Sequence, residues 1–128
     1  MIIDTSAIVA ILAGEPERQV FERALMRADV LRMSAVNWFE AVIVLSRAGD
    51  VARNALDLYV ERAGIVVVPV DLSQTRLAEE GWRLYGKGRH PARLNMGDCF
   101  AYALAKSMGE PLLFKGGDFG RTDIVSAI

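Results

Sequence analysis

A chain of 128 residues lies near the commonest domain length, so one domain over residues 1–128 is expected. With 52% hydrophobic and 24% charged residues the chain can fill a core, which excludes disorder. Fifteen Lys and Arg against sixteen Asp and Glu leave a net charge of −1, which argues against a simple basic coat protein for nucleic acid. The single cysteine excludes an internal disulfide and fits a reducing, cytosolic home.

Met1 to Ile3 reads as a short buried strand that stops at Asp4. Thr5 or Ser6 then caps a first helix running to Ala13, with Gly14 closing it. Pro16 suits the first turn of a second helix, and Val20, Ala24 and Leu25 keep helical spacing. Val30 to Ala35 is a second strand. VNWFEAVIVLSRAG, residues 36–49, is apolar on nearly every side, which predicts a largely buried helix with Glu40 inside it. Residues 52–64 form a clearer amphipathic helix, and IVVVPV, residues 65–70, reads as a buried parallel strand.

A helix from Ser73 to Tyr85 follows, then the loop GKGRHPAR, residues 86–93. Asn95 is a good N-cap for a helix that carries Asp98 in its first turn and ends near Gly109. PLLF, residues 111–114, is a fourth strand, KGGDFGR a loop, and DIVSAI a short fifth strand. The N-terminus has no basic region and carries an early acid, so it is not read as a signal peptide. No apolar run approaches the roughly 20 residues of a membrane span.

Alternating strands and helices predict a three-layer α/β/α sandwich around a central, mainly parallel, five-stranded sheet. In such sheets the ligand site lies beyond the carboxyl ends of the strands. Asp4, Glu40 and Asp118 follow strands directly, and Asp98 joins them if its helix begins on the same edge. Each has a local alternative: Asp4 and Asp98 as helix caps, Asp118 as a turn residue. Glu40 is harder to explain locally, because Val36, Asn37, Ile43 and Val44 offer no cation one turn away.

Crowded carboxylates repel unless a divalent ion compensates, and oxygen ligands without histidine or cysteine point to Mg²⁺ or Mn²⁺. Such a site commonly works on phosphates. Setting the four acids aside changes the net charge from −1 to +3, so the remaining surface is mildly basic. Lys87, Arg89 and Arg93 in one loop, with Lys115 near Asp118, are candidate contacts for substrate phosphates, which the resemblance below makes those of RNA.

MIIDTSA, Glu40, LNMGDCFAYALAK and LLFKGGDFGRTDI, in this order along the whole chain, together resemble a PIN domain of the VapC toxin type. The resemblance implies a PIN fold and a Mg²⁺- or Mn²⁺-dependent endoribonuclease acting on single-stranded RNA. It also implies a cytoplasmic homodimer that serves as the toxin of a type II toxin–antitoxin system, inhibited by a cognate VapB-like antitoxin. By position, Asp4, Glu40 and Asp98 match the family's central acids and metal ligands. Asp118 matches the more variable fourth acid, with Asp123 competing for that role. Thr5 or Ser6 matches the hydroxyl residue that supports the first acid.

Two other classes compete. A phospho-acceptor receiver would use Asp71 and Lys115, but strand one lacks the adjacent acid pair of such domains. A binding module without catalysis would leave Glu40 buried for no reason. A cysteine hydrolase is weaker still, since Cys99 has only His90 as a base.

Overall fold

A computed structural model describes residues 1–128. In chain order the elements are β1 (Ile2–Ile3), α1 (Thr5–Leu12), α2 (Arg18–Met26), β2 (Leu31–Ser34), α3 (Ala35–Ser46), α4 (Asp50–Ala63), β3 (Ile65–Val68), α5 (Leu72–Tyr85), α6 (Met96–Met108) and β4 (Leu112–Leu113). A single 3-10 turn, Phe119–Arg121, follows β4. The strands form one parallel sheet in the order β3-β2-β1-β4.

Side-chain alternation splits the core in two. Ile3 and Leu113 point to one face, where α1, α2 and α4 bury Ile8, Ile11, Phe21 and Leu56. Ile2 and Leu112 point to the other, where α5 and α6 bury Ala78, Tyr102 and Leu104. The α/β/α sandwich is therefore present, with four strands instead of five. The expected fifth strand touches the sheet only at Ser126, which bridges Leu112 through Leu112 N–H to Val125 O and Ala127 N–H to Leu112 O. A two-residue β4 has no further ladder to offer.

Four local expectations need correction. Asp4 itself caps α1, accepting from Ser6 N at 2.9 Å, in place of Thr5 or Ser6. Pro16 stands in the turn before α2, whose N-cap is Glu17. β3 is an edge strand and its β-branched run is not buried on both faces: Val66 is 51% exposed. The helix α3 likewise buries only the stripe Asn37, Ala41 and Leu45, leaving Phe39 and Ile43 in solvent. An apolar sequence without period told neither strand nor helix which side would be covered.

Candidate active site

Because all four strands run the same way, the segments leaving them converge on one edge. Asp4 is the first residue beyond β1, and its backbone N–H still donates to Leu113 O of β4 at 2.9 Å. Its carboxylate is buried and serves three donors: Ser6 N, Ser6 Oγ and, at 3.3 Å, Asn37 Nδ2. Ser6 Oγ in turn accepts from Lys115 N at 2.9 Å, which ties the loop after β4 to the first acid. Ser34, the buried N-cap of α3, starts the helix that carries the second acid.

Glu40 is half-buried, and Thr5 Oγ1 donates to its Oε2 at 2.6 Å. The expected missing cation is indeed missing, and a hydroxyl stands in its place. The carboxylate lies against the backbone of Gly97 so closely that a Cβ there would sit 2.2 Å from Glu40 Oε2. Asp98 follows, in the first turn of α6. It forms a reciprocal capping box with Asn95: Asp98 N donates to Asn95 Oδ1 at 2.9 Å, and Asn95 N donates to Asp98 Oδ2 at 2.8 Å.

The electrostatics show that these groups share one field. Burial raises the Asp98 carboxyl to about 6, and the charges of Asp4, Glu40 and Asp118 push the same way, against the lowering effect of the Asn95 amide. Burial also raises Asp4, opposed by the Ser6 hydrogen bonds and reinforced by the charge of Glu40. None of Asp4, Glu40, Asp98 or Asp118 takes part in a salt bridge. Asp118 is exposed on the loop after β4 but acts on Asp98. Asp123 belongs elsewhere: it pairs with Lys106 in the last turn of α6, the opposite end of the helix from Asp98.

The donor set suits a hard divalent ion, being oxygen only, crowded and without a counter-charge. No three of the groups meet as a finished cage, because Asp4 and Asp98 are turned toward backbone N–H groups of their own segments.

Asn37 and Gly97 do work that the sequence did not disclose. Asn37 is fully buried, and its Nδ2 lies within hydrogen-bond distance of Asp4 Oδ1, Thr5 Oγ1 and Gly97 O, at 3.3, 3.2 and 3.0 Å. One amide on the Glu40 helix thus touches both the segment bearing Asp4 and the segment bearing Asp98. Its available signal was position, three residues before Glu40 and so on the same helix side. For Gly97 the signal was a glycine in a helical first turn, where alanine would be favoured.

Along this chain the PIN domain family matches residues 1–125. Ribonuclease VapC of Mycolicibacterium smegmatis is 49% identical over 127 residues, covering 98% of this chain and 98% of that protein. The chain belongs to the VapC family of PIN domains. Ribonuclease VapC30 of Mycobacterium tuberculosis is 46% identical over 127 residues, with 98% and 97% of the two chains covered. In fold, this VapC-family chain is similar to the crystal structure of Mycobacterium tuberculosis VapC20, described as a Sarcin-Ricin loop cleaving toxin. The TM-score is 0.77 at 21% identity, over 97% of this chain and 95% of that one. A toxin–antitoxin complex from Klebsiella pneumoniae matches with a TM-score of 0.75 at 14% identity, over 99% and 97% of the chains.

The competing classes lose their residues to structural roles. Asp71, the acceptor of the receiver alternative, caps α5 by accepting from Gln74 N at 2.8 Å. Lys115 Nζ, the lysine of that alternative, pairs with Glu15 and, at 3.2 Å, with Glu17. Burial first, and the Asp98 charge second, push the Cys99 thiol up to about 11, the reverse of an activated nucleophile. His90 Nδ1 is occupied by Ala92 N at 3.1 Å.

Proposed function

We propose that the chain, as a single PIN domain, is the toxin of a type II toxin–antitoxin pair. In this reading it is an endoribonuclease that hydrolyses RNA phosphodiester bonds with Mg²⁺ or Mn²⁺, and a cognate VapB-like antitoxin holds it inactive. One observation carries the reading: at the carboxyl edge of a parallel sheet Asp98 feels the charges of Asp4, Glu40 and Asp118, acids from three other segments, and none of the four is paired with a cation. Asp4, Glu40, Asp98 and Asp118 would hold the ion. When bound, a divalent ion of this kind neutralises the acids, activates water and stabilises charge at phosphorus.

The chain's own residues supply the positioning. Ser6 and Asn37 fix both oxygens of Asp4, Thr5 fixes Glu40, and the capping box fixes Asp98 at a helix N-terminus that favours negative charge. Thr5, Ser6 and Asn95 are thus supporting residues that keep mutually repelling acids together. Lys87, Arg89 and Arg93 form no salt bridge and are free to meet phosphates. The exposed Phe39 and Ile43, one turn apart on α3, support a homodimer, since neighbouring apolar side chains in solvent favour burial by a second copy. A cytoplasmic location rests on the free, buried Cys99. No helix is long and apolar enough to cross a membrane.

The test is to incubate purified, antitoxin-free protein with cellular RNA in magnesium and in chelator. Discrete cleavage products in magnesium and none in chelator are expected. Intact RNA in both, from folded protein, overturns the reading, as does cleavage that chelator leaves unchanged.

A further inference from the structure

Beside the acid cluster lies an open groove of about 430 Å³ between the outer face of α5 and the first turns of α6. Its walls are apolar and aromatic, with Trp82 from α5 facing Met96 and Phe100 from α6. Trp82 is 45% and Met96 73% exposed, so the groove presents these surfaces to solvent. Polar groups sit among them: Glu79 and Asn95 on the lining, and Lys87 from the basic loop. Asn95 belongs to groove and acid cluster alike, since its N–H donates to the Asp98 carboxylate.

The Trp82 indole is held, not loose. Gly86 gives it room, because a Cβ there would lie 2.6 Å from Trp82 Cδ1. The Arg89 guanidinium lies over the ring at 4.0 Å from its centroid. The loop bearing Lys87 and Arg89 is fixed by its backbone and by His90, without using those cations. Lys87 N donates to Leu94 O and Leu94 N to Tyr85 O, each at 2.9 Å, and His90 packs edge-on against Tyr85. A fixed aromatic surface carrying an unpaired cation, with hydrogen-bonding groups at its edges, is the chemistry that binds an unpaired base. An apolar protein segment would cover the walls but leave Lys87 and Arg89 without counter-charge.

We propose that this groove is a nucleobase subsite: a single-stranded RNA places one unpaired base against the Trp82 indole that lines it, next to the phosphodiester at the acid cluster. The proposal rests on the ribonuclease reading and names a recognition element for that same site. Trp82 is then a specificity-determining residue, and Lys87 steers the adjoining phosphate.

The test uses an Asp98→Asn, Trp38→Phe protein, uncleaving and with Trp82 as the sole tryptophan, titrated with a mixed-sequence single-stranded RNA 20-mer. Saturable quenching of Trp82 fluorescence is expected. Trp82→Ala should weaken binding by about tenfold, and Trp82→Phe should restore most of it. In otherwise wild-type protein with magnesium, Trp82→Ala should act mainly on KM for the same RNA. Unchanged affinity in Trp82→Ala, or binding without quenching, overturns the subsite while leaving the ribonuclease reading intact. A Trp82→Ala protein that changes oligomeric mass at unaltered RNA affinity also overturns it, and assigns the groove to a second copy. Failure of every folded variant to bind or cleave RNA overturns both.

Discussion

Two acids at opposite ends of the sheet have opposite fates. Glu110, just before β4, binds the guanidinium of Arg32 and the ammonium of Met1. Although burial works to raise it, those two cations win and hold its carboxyl below the usual value. Asp98, opening α6 at the carboxyl edge, is also partly buried but meets three more acids and no cation, and its carboxyl rises to about 6. The contrast teaches what distinguishes an acid that stabilises a fold from one that awaits a ligand. Burial is common to both, and the counter-charge decides.

The largest break in this contrast should come from neutralising the unpaired end. Asp98→Asn keeps an oxygen for Asn95 N–H and hence the cap, yet RNA cleavage should fall by on the order of 10³-fold or more. Adding Asp4→Asn should cost little further, because the acids act as one unit. Gel-resolved cleavage rates check both. A folded Asp98→Asn protein of undiminished activity would return Asp98 to a structural role.

Thermal melts sharpen the same contrast. Magnesium at a hundredfold excess over its dissociation constant should stabilise the wild type by about 2.7 kcal/mol, and Asp98→Asn much less. In chelator the substitution should leave stability unchanged or raise it, since it removes repulsion.

Gly97→Ala should separate site from fold. The new Cβ displaces the end of a flexible side chain, the Glu40 carboxylate, and alanine favours the helix by up to about 1 kcal/mol. Cleavage should fall by about tenfold or more while the melting temperature holds or rises. A loss of both together would show that the close approach serves packing.

At the paired end, Glu110→Gln should destabilise by about 1 kcal/mol and leave cleavage unchanged. The smallest effect is in pH dependence, and its sign differs at the two ends. The raised Asp98 contributes stability that is fully present below the unfolded carboxyl value and lost as pH rises through about 6. The lowered Glu110 contributes stability present above the unfolded value and lost as pH falls through its folded one. In chelator, Asp98→Asn should therefore flatten the decline between pH 4 and 6, and Glu110→Gln should flatten the acid limb below it, both read by denaturant midpoints.

The acids were legible because each stands beside a strong local signal. Asp4 ends an apolar run, Asp98 follows an N-cap, and Glu40 interrupts an apolar helix with no partner in its own turns. What escaped depends on contacts distant in sequence. Asn37 earns its role from Asp4 and Gly97, 33 and 60 residues away, and Lys115 finds its partner in Glu15, 100 residues away. The edge position of β3 was hidden for another reason. IVVV has the same composition whether one face is covered or two, and the face that carries Val66 is left open.

The four acids also stand on backbone of very unequal permanence. Asp4 N–H is locked to β4 in the middle of the sheet, whereas Gly116, Gly117 and Asp118 donate no hydrogen bond to the rest of the chain. In deuterium, the amide of Asp4 should hold its proton until the domain opens globally, and that of Asp118 should exchange at once. The site thus joins one part that is as durable as the fold to another that can be rebuilt, residue by residue, without touching the core.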